Sequence, residues 1–232
     1  MYESSNSSCT RCKSRSECSF RALSDEQIEQ MESEKRTLTF ARGETIFHLG
    51  DDSAHFFCVK SGNVQLYRSS PYREQSFSIA AQGDWIGFRD ALNETNYQHN
   101  ARCLNEATVC KFNRTRIAEW MDEYPEFARA IACDLATQWT AAENQTYNLG
   151  SRKIMERLAD FLLQLKRTSP VNENQEVEFN YTRELLATLL GTTTESVIRT
   201  LSDFKSRGWI NMSRGKIQFL DDSELARLVA ES

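Results

Sequence analysis

Short apolar stretches alternate with polar turns between residues 36 and 112 of the chain. Several of the turns contain glycine, as in Arg42-Gly43-Glu44 and Gln82-Gly83-Asp84. Many short strands with regularly spaced turns are typical of a β-barrel or β-sandwich. The pattern predicts strands over residues 37–40, 45–47, 56–60, 64–67, 77–80 and 108–112.

Helical patterns flank this β-rich region. Ser24 is the expected N-cap of a short helix over residues 25–34, with Gln27 completing a capping box. From residue 124, apolar positions recur every three or four residues for about 25 residues, which fits one helix packed on its own domain or the seam of a two-helix dimer. We favour the seam, and the predicted dimer contacts are Ile131, Leu135, Trp139 and Ala142.

The last part of the chain predicts a helix over residues 152–165, a second over 182–190 that ends at Gly191, and a third over 195–204. Two short helices joined through a glycine turn are typical of a helix-turn-helix. Residues 209–212 and 216–220 are expected to form a β-wing behind it. In such a motif the second helix places its N-terminal residues in the major groove of DNA.

The two faces of that recognition helix are predicted to differ. Val197, Leu201 and Phe204 fall on the face that packs on the core. Arg199 can donate two hydrogen bonds to guanine and Glu195 can accept one from cytosine, although residues at this spacing can also form a surface ion pair. The glycine turn before this helix and the wing after it favour contact with DNA bases over a surface ion pair. The predicted base contacts are Thr194, Glu195, Ile198 and Arg199, and the predicted phosphate contacts are Thr182, Thr192, Lys205 and Arg207.

Composition narrows the class of protein. The 232 residues are 40% hydrophobic and 26% charged, with a net charge of −5, which argues against indiscriminate coating of nucleic acid. Residues 183–216 nevertheless carry six Lys or Arg against three Asp or Glu, which suits a local DNA-binding surface. No apolar run approaches the roughly 20 residues that span a membrane, and the first residues lack a signal-peptide pattern. We therefore expect a cytoplasmic protein that does not contact membranes.

Cysteines supply the candidate chemistry. A C-x2-C-x5-C run lies in residues 1–22, which are polar and show no periodicity, so this arm is expected to need a ligand or a docking surface to fold. Four thiolates can hold an iron–sulfur cluster or a structural zinc, and the run by itself also fits a thiol–disulfide switch. The candidate ligands are Cys9, Cys12, Cys18 and Cys110.

The order of β-roll, long helix and winged helix-turn-helix resembles the Crp/Fnr transcription regulators across nearly the whole chain. The segment 182–208, which contains Glu195-Ser196-Val197-Ile198-Arg199, is similar to their DNA-binding signature. The spacing of the first three cysteines resembles that of the oxygen-sensing FNR branch, and Cys110 falls where that branch has its fourth ligand. The resemblance implies an α+β fold with a cyclic-nucleotide-binding-like β-roll, a long dimerisation helix and a C-terminal winged helix-turn-helix. The implied domains are an arm over 1–22, a sensor domain over 23–122, a dimerisation helix over 123–150 and a DNA-binding domain over 151–232.

The resemblance also implies a mechanism. The four cysteines would bind an oxygen-labile [4Fe-4S] cluster, and the cluster would favour a homodimer that binds a palindromic DNA operator and contacts RNA polymerase. Two positions depart from the branch. Ile198 replaces a common serine, which leaves the exact half-site open, and Ala142 replaces a carboxylate of the archetype's dimer helix. Dimerisation is therefore expected to depend less on the cluster, unless the adjacent Glu143 takes that place.

The remaining cysteines have other expected roles. Cys58 and Cys133 lie in an apolar strand and an apolar helix, where we expect buried hydrophobic side chains. Cys103 competes with Cys110 as the fourth ligand, and the family position favours Cys110.

Other function classes are disfavoured. A cyclic-nucleotide site needs an arginine beside a small hydroxyl residue, and residues 93–103 contain no Arg-Ser or Arg-Thr pair. An enzyme is not expected, because three histidines without a His-x-His pair do not form a cupin-type metal site and no nucleophile–base pattern is visible. Within the family, the alternative hypotheses for how the protein is controlled are a thiol–disulfide or zinc switch, or a small effector bound in the β-roll without a cluster.

Overall fold

The computed structural model describes residues 2–3, 8–33 and 35–230, with the backbone alone for residues 2–3. The chain divides into two units at the boundary between Thr140 and Ala141. The predicted end of the first helix at Glu34 lies outside the described residues, as does part of the predicted arm.

Antiparallel strands and short helices build the first unit. The elements are β1 (Tyr2–Glu3), a 3-10 turn (Ser19–Ala22), α1 (Asp25–Glu32), β2 (Arg36–Phe40), β3 (Thr45–Phe47), β4 (His55–Ser61), β5 (Val64–Ser69), β6 (Glu74–Ala80), β7 (Trp85–Ile86), α2 (Phe88–Leu92), β8 (Asn100–Cys103), β9 (Ala107–Asn113), α3 (Thr115–Glu123) and α4 (Pro125–Ser151), which crosses the boundary. One sheet has the order β1-β2-β9-β4-β7 and the other has the order β3-β8-β5-β6.

The predicted strands and the first helix are confirmed, with ends that differ by a few residues. The Ser24 capping box is present: its side chain accepts from the Gln27 backbone N–H, and the Gln27 side chain accepts from the Ser24 N–H. The sequence pattern missed β7, β8, α2 and α3. Strand β7 has only two residues, too few for alternation to be detected, and β8 has four.

Two cores fill the first unit. One lies inside the roll and includes Phe47, Val59 and Val109. The other is aromatic and joins the roll to the helices that follow it. Phe20, from the 3-10 turn, packs edge-on against Phe112 with ring centroids 5.7 Å apart. Burial of such side chains supplies most of the stability of a small domain.

The long helix α4 has a buried part and an exposed part. Ile131 is only 3% exposed because it packs in the core of its own unit, and Leu135 is partly buried against the same core. This corrects the expectation that Ile131 contacts a partner. Trp139 is 70% exposed, so the free part of the apolar stripe begins there. Cys133 is exposed, which corrects the expectation that it is buried.

The second unit contains the predicted helix-turn-helix and wing. In a small antiparallel sheet, Lys216–Phe219 pairs with Ile210–Ser213 and with Glu176–Glu178, so the wing gains a third strand that the sequence pattern did not predict. The C-terminal helix was also missed. The elements are α5 (Ile154–Thr168), β10 (Glu176–Glu178), α6 (Arg183–Leu190), α7 (Thr194–Ser206), β11 (Ile210–Ser213), β12 (Lys216–Phe219) and α8 (Asp222–Ala230). Among the described residues, no helix has the length and apolar character needed to span a membrane.

Candidate functional site: a cysteine pocket and a DNA-reading helix

Five cysteines line one pocket of the first unit. Cys9, Cys12 and Cys18 come from the loop that precedes the 3-10 turn, whereas Cys58 lies on β4 and Cys110 on β9. The two strands pair antiparallel, with Cys58 directly opposite Cys110. The void that they surround, counted with the open solvent at its mouth, is about 310 Å³. The structure thus brings the four predicted ligands to the same pocket.

Hydrogen bonds shape the cysteine loop and fix it to the roll. The Cys12 N–H donates to the Cys9 carbonyl at 3.2 Å, and the Cys18 N–H donates to the Ser14 carbonyl at 3.0 Å. These turns let closely spaced cysteines face the same pocket. The Ser14 hydroxyl donates to the Lys60 carbonyl at the end of β4, at 3.0 Å, so the loop is attached to the strand that carries Cys58.

A buried lysine lies beside the pocket. Lys35 Nζ is 2.9 Å from Cys9 Sγ and 3.8 Å from Glu32 Oε2. The Glu32 carboxylate also accepts a hydrogen bond from the Cys9 backbone N–H, at 2.5 Å. Burial raises the pKa of Cys9 to about 11, despite the opposing effect of Lys35. Burial also raises the pKa of Cys110. These thiols therefore stay protonated unless a bound cation favours the thiolate.

Cys58 is buried, as predicted, but it also belongs to the pocket, which the sequence interpretation missed. The interaction of the Cys18 and Cys58 thiols is the main reason that the pKa of Cys18 is lowered and that of Cys58 is raised. Strand alternation could have indicated this position, because it places Cys58 on the same face of β4 as Lys60, another lining residue.

Cys103 lies elsewhere. It is 1% exposed and packs in the core inside the roll, next to Val64 and Ala101, rather than at the pocket. Of the two candidates for fourth ligand, only Cys110 shares a pocket with the N-terminal cysteines.

The donor set suits a thiolate-bound group. Sulfur ligands hold iron–sulfur clusters and structural zinc. Among the described residues, no group of three or more His, Cys, Asp or Glu side chains is arranged to hold a metal ion. The pocket cysteines do supply sulfur donors, the ligand type that an iron–sulfur cluster or a structural zinc requires.

Gly83 lets the cysteine loop lie close to the roll. Its φ is +90°, and a Cβ built on it would be 2.6 Å from Glu17 Cβ and 3.0 Å from the Glu17 carbonyl carbon. Any side chain here would push against the loop between Cys12 and Cys18. The glycine is thus required by both its backbone conformation and the close approach of Glu17.

In the second unit, the faces of α7 divide as predicted. Val197, Leu201 and Phe204 are buried in the core. Ile198 is 48% exposed, and Glu195 and Arg199 are exposed on the opposite face. Their side chains are therefore available to a ligand outside the protein.

Threonine hydroxyls cap both helices of the motif. Thr182 accepts from the Leu185 N–H at 3.1 Å, and Thr193 accepts from the Ser196 N–H at 3.2 Å. The sequence interpretation had assigned Thr182 to phosphate and had not singled out Thr193. The Thr193 hydroxyl also donates to Ser196 Oγ at 3.2 Å, whereas the O–H of Thr182 remains a possible donor.

The charged residues that are predicted to contact DNA differ in whether they already pair with other groups of the protein. The backbone N–H of Glu195 and the Thr193 hydroxyl lower the pKa of the Glu195 carboxyl, so it stays ionised and can accept hydrogen bonds. Within the described residues, no ion pair joins Glu195 to Arg199. Arg207, by contrast, pairs with Asp203 at 3.0 Å and lies 5.0 Å from the Trp209 ring centroid. Arg199 is therefore the more available of the two arginines.

A β-roll with a thiol-lined pocket, a long helix and a winged helix-turn-helix define the class as a DNA-binding regulator with a sensor domain. Residues 37–124 match the family model of the cyclic nucleotide-binding domain, and residues 156–228 match that of the Crp-like helix-turn-helix domain. The chain belongs to the Crp/Fnr family of transcription regulators, whose members are DNA-binding dimers that contact RNA polymerase.

Relatives in this family cover almost the whole chain. The nitrogen fixation regulation protein FixK of Bradyrhizobium diazoefficiens is 27% identical over 99% of this chain and 97% of its own length. The CRP-like cAMP-activated global transcriptional regulator of Mycobacterium tuberculosis is 26% identical, over 90% and 94%. The fumarate and nitrate reduction regulatory protein of Escherichia coli K12 is 22% identical, over 97% and 91%.

The solved structure of FixK2 from Bradyrhizobium japonicum has the same fold. It superposes with a TM-score of 0.76 at 22% identity, covering 84% of this chain and 96% of FixK2. The relatives named here are transcription regulators, consistent with the expectation that this chain is not an enzyme.

Proposed function

We propose that this transcription regulator is controlled by an oxygen-labile [4Fe-4S] cluster held by Cys9, Cys12, Cys18 and Cys110. The observation that carries the proposal is that these four thiols, from a loop and a strand some ninety residues apart in the sequence, line one pocket. A bound cluster would supply an oxygen-sensitive connection between the loop and the roll. The fumarate and nitrate reduction regulator among the relatives is consistent with this branch of the family.

Residues around the pocket support binding of an anionic group. Lys35 is 4% exposed and touches Cys9, so its ammonium offsets negative charge on thiolates. Four thiolates in a buried site would otherwise repel one another, and the lysine reduces that cost. Cys58 provides a fifth thiol in the same pocket, opposite Cys110 on the paired strand.

A thiol–disulfide switch is the second candidate. Cys18 and Cys58 favour it, because both thiols line the same pocket and each shifts the pKa of the other. Without a cluster, an oxidant such as a peroxide could join them, taking up the two electrons and two protons that the thiols release. The iron and zinc content of the purified protein separates this candidate from the first.

A cyclic nucleotide is not supported, although one relative is described as cAMP-activated. The arginine in the corresponding stretch of the roll is Arg102, which donates to Gln65 Oε1 and to Glu74 Oε1, both at 2.7 Å. Its guanidinium also lies 4.5 Å from the centroid of the Tyr67 ring. Its charge is thus already paired within the roll, and a nucleotide phosphate would have to displace Glu74.

In the DNA-binding half, we propose that Thr194, Glu195, Ile198 and Arg199 contact bases of a palindromic operator. Thr182, Thr192, Lys205 and Arg207 would contact phosphates. A homodimer would form through the exposed part of the α4 stripe, which includes Trp139 and Ala142, with the partly buried Leu135 at its edge. Two copies would then bind two half-sites, which increases both affinity and specificity.

The test is purification without oxygen, followed by iron, sulfide and zinc assays and a visible spectrum. We expect about four iron and four sulfide per chain, and a broad absorption band that fades in air. Cys12→Ser and Cys110→Ser are expected to lose iron, whereas Cys103→Ser, buried in the other core, keeps it. Colourless protein with stoichiometric zinc, or unchanged iron in Cys110→Ser, would overturn the proposal.

A further inference from the structure

One carboxylate of α4 holds the segment that follows Cys18. The Ser19 hydroxyl donates to Asp134 Oδ2 at 2.6 Å. The Arg21 guanidinium donates to both oxygens of the same carboxylate, at 2.6 Å for Oδ1 and 3.2 Å for Oδ2. The hydrogen bond to Asp134 raises the pKa of Arg21. The contact therefore combines a two-point arginine–carboxylate pair with a hydroxyl bond, the geometry that makes such pairs strong and directional.

Phe20, which lies between these two residues, makes a second contact with the same helix. Its ring packs at 5.7 Å from the ring centroid of Phe127, and both side chains are buried. Phe127 and Asp134 are seven residues apart, or about two helical turns, and so lie on one face of α4. The segment Ser19–Ala22 is thus held against α4 over two consecutive turns.

Cys18 is the residue immediately before this segment. It occupies the N-cap position of the 3-10 turn Ser19–Ala22 and lines the cysteine pocket. Only one peptide unit separates a sulfur of the pocket from the side chain that bonds Asp134. Because consecutive Cα atoms stay about 3.8 Å apart across a trans peptide, a displacement of the Cys18 backbone is passed to Ser19 and its bond to Asp134.

We infer that Asp134 is the positioning residue through which the cysteine loop controls the long helix, an inference that rests on the proposed cluster function. When Cys18 is held as a ligand, Ser19 and Arg21 stay on Asp134, and α4 keeps one orientation relative to the roll. When Cys18 is released, the Asp134 carboxylate loses these partners. The exposed Trp139 lies five residues further along the same helix. A change in the orientation of α4 therefore moves the surface that we propose to face the partner subunit.

Asp134 lies about two turns nearer the N-terminus of α4 than Ala142, on the face that contacts the cysteine loop. The inferred coupling is therefore carried by an attraction within one protomer.

The test compares Asp134→Asn with Glu126→Gln. Glu126 is also on α4 and accepts a hydrogen bond from Gln27 Nε2 of α1 at 2.7 Å, so this control removes a similar surface contact away from the cysteine loop. For each protein, anaerobic iron content and the visible spectrum report the pocket. Sedimentation equilibrium gives the dimer dissociation constants of the loaded and iron-free forms.

In the wild type, we expect the loaded form to dimerise more tightly, and the ratio of the two dissociation constants measures the coupling. Asp134→Asn should keep the iron content and the spectrum while lowering this ratio about tenfold, as expected for loss of a charge-assisted pair. Glu126→Gln should leave it unchanged. Asp134→Glu should restore part of the ratio. Arg21→Ala should also lower the ratio, and combining it with Asp134→Asn should lower the ratio no further.

Each contrary outcome has a distinct meaning. A wild-type ratio in Asp134→Asn with normal iron content overturns the inference and leaves the proposed function intact. Loss of iron in Asp134→Asn also overturns it, because the residue would then serve the pocket itself. Wild-type protein without iron refutes the proposed function first, and the inference with it.

Discussion

Replacing Gly83 by alanine tests whether the cysteine loop depends on its close approach to the roll. The added Cβ would meet Glu17 Cβ at 2.6 Å and the Glu17 carbonyl carbon at 3.0 Å. The second atom belongs to the backbone, so a change of side-chain rotamer cannot relieve the contact. Gly43→Ala is the matched control, because Gly43 has a similar φ of +85° and nothing within 4 Å of its Cβ position.

The two substitutions share one energetic cost and differ in another. A side chain at this positive φ costs about 1–2 kcal/mol in either place. At Gly83 the loop must also move, which breaks the 3.0 Å hydrogen bond from the Ser14 hydroxyl to the Lys60 carbonyl. That bond contributes about 1 kcal/mol. We therefore expect about 1–2 kcal/mol of destabilisation for Gly43→Ala and about 2–3 kcal/mol for Gly83→Ala.

Urea unfolding followed by tryptophan fluorescence measures the stability of both variants, and transfer of iron to a chelator measures retention by the pocket. A loop held about 1 kcal/mol less tightly should release iron about fivefold faster in Gly83→Ala. Gly43→Ala should release it at the wild-type rate. Equal destabilisation of the two variants, with equal iron release, would refute the reasoning.

Three further predictions concern other parts of the chain. Arg199→Ala should weaken binding to DNA fragments selected by the wild type from a random pool by about 5- to 150-fold, as measured by fluorescence anisotropy, without changing the melting temperature; unaltered affinity would contradict the assignment of this residue. Trp139→Ala should raise the dimer dissociation constant at least about 30-fold by sedimentation equilibrium, whereas Tyr72→Ala, 95% exposed on the roll, should not. Burial lowers the pKa of His99 from 6.5 to about 4, although Asp90 Oδ2 is 3.6 Å from its Nδ1. The His99 imidazole thus binds a proton more readily in the unfolded chain, and the free energy of unfolding should fall by about 2 kcal/mol from pH 7.5 to 5. Urea unfolding should show a smaller fall in His99→Gln, and an identical fall would exclude His99 as the cause.

Local patterns predicted most elements of the fold. The strands of the roll and the helices α5, α6 and α7 follow from hydrophobic periodicity and turn residues. The split faces of α7 were also correct, because the 3.6-residue period fixes which side chains share a face. β10 and α8 were also missed; the pairing of β10 with β12 is a tertiary contact that no local pattern reveals.

The sequence by itself determined the chemistry available to this protein. Closely spaced thiols, a glycine-turned helix pair and an apolar stripe are all local patterns, and they led to the family. Only the tertiary structure decided which residues meet. Strand pairing sets Cys58 opposite Cys110 and buries Cys103 elsewhere, while packing in the first unit covers Ile131 and leaves Trp139 exposed. The contact of Arg21 with Asp134 joins residues 113 positions apart, and no local period can reveal such a pairing because it depends on how the elements fold together.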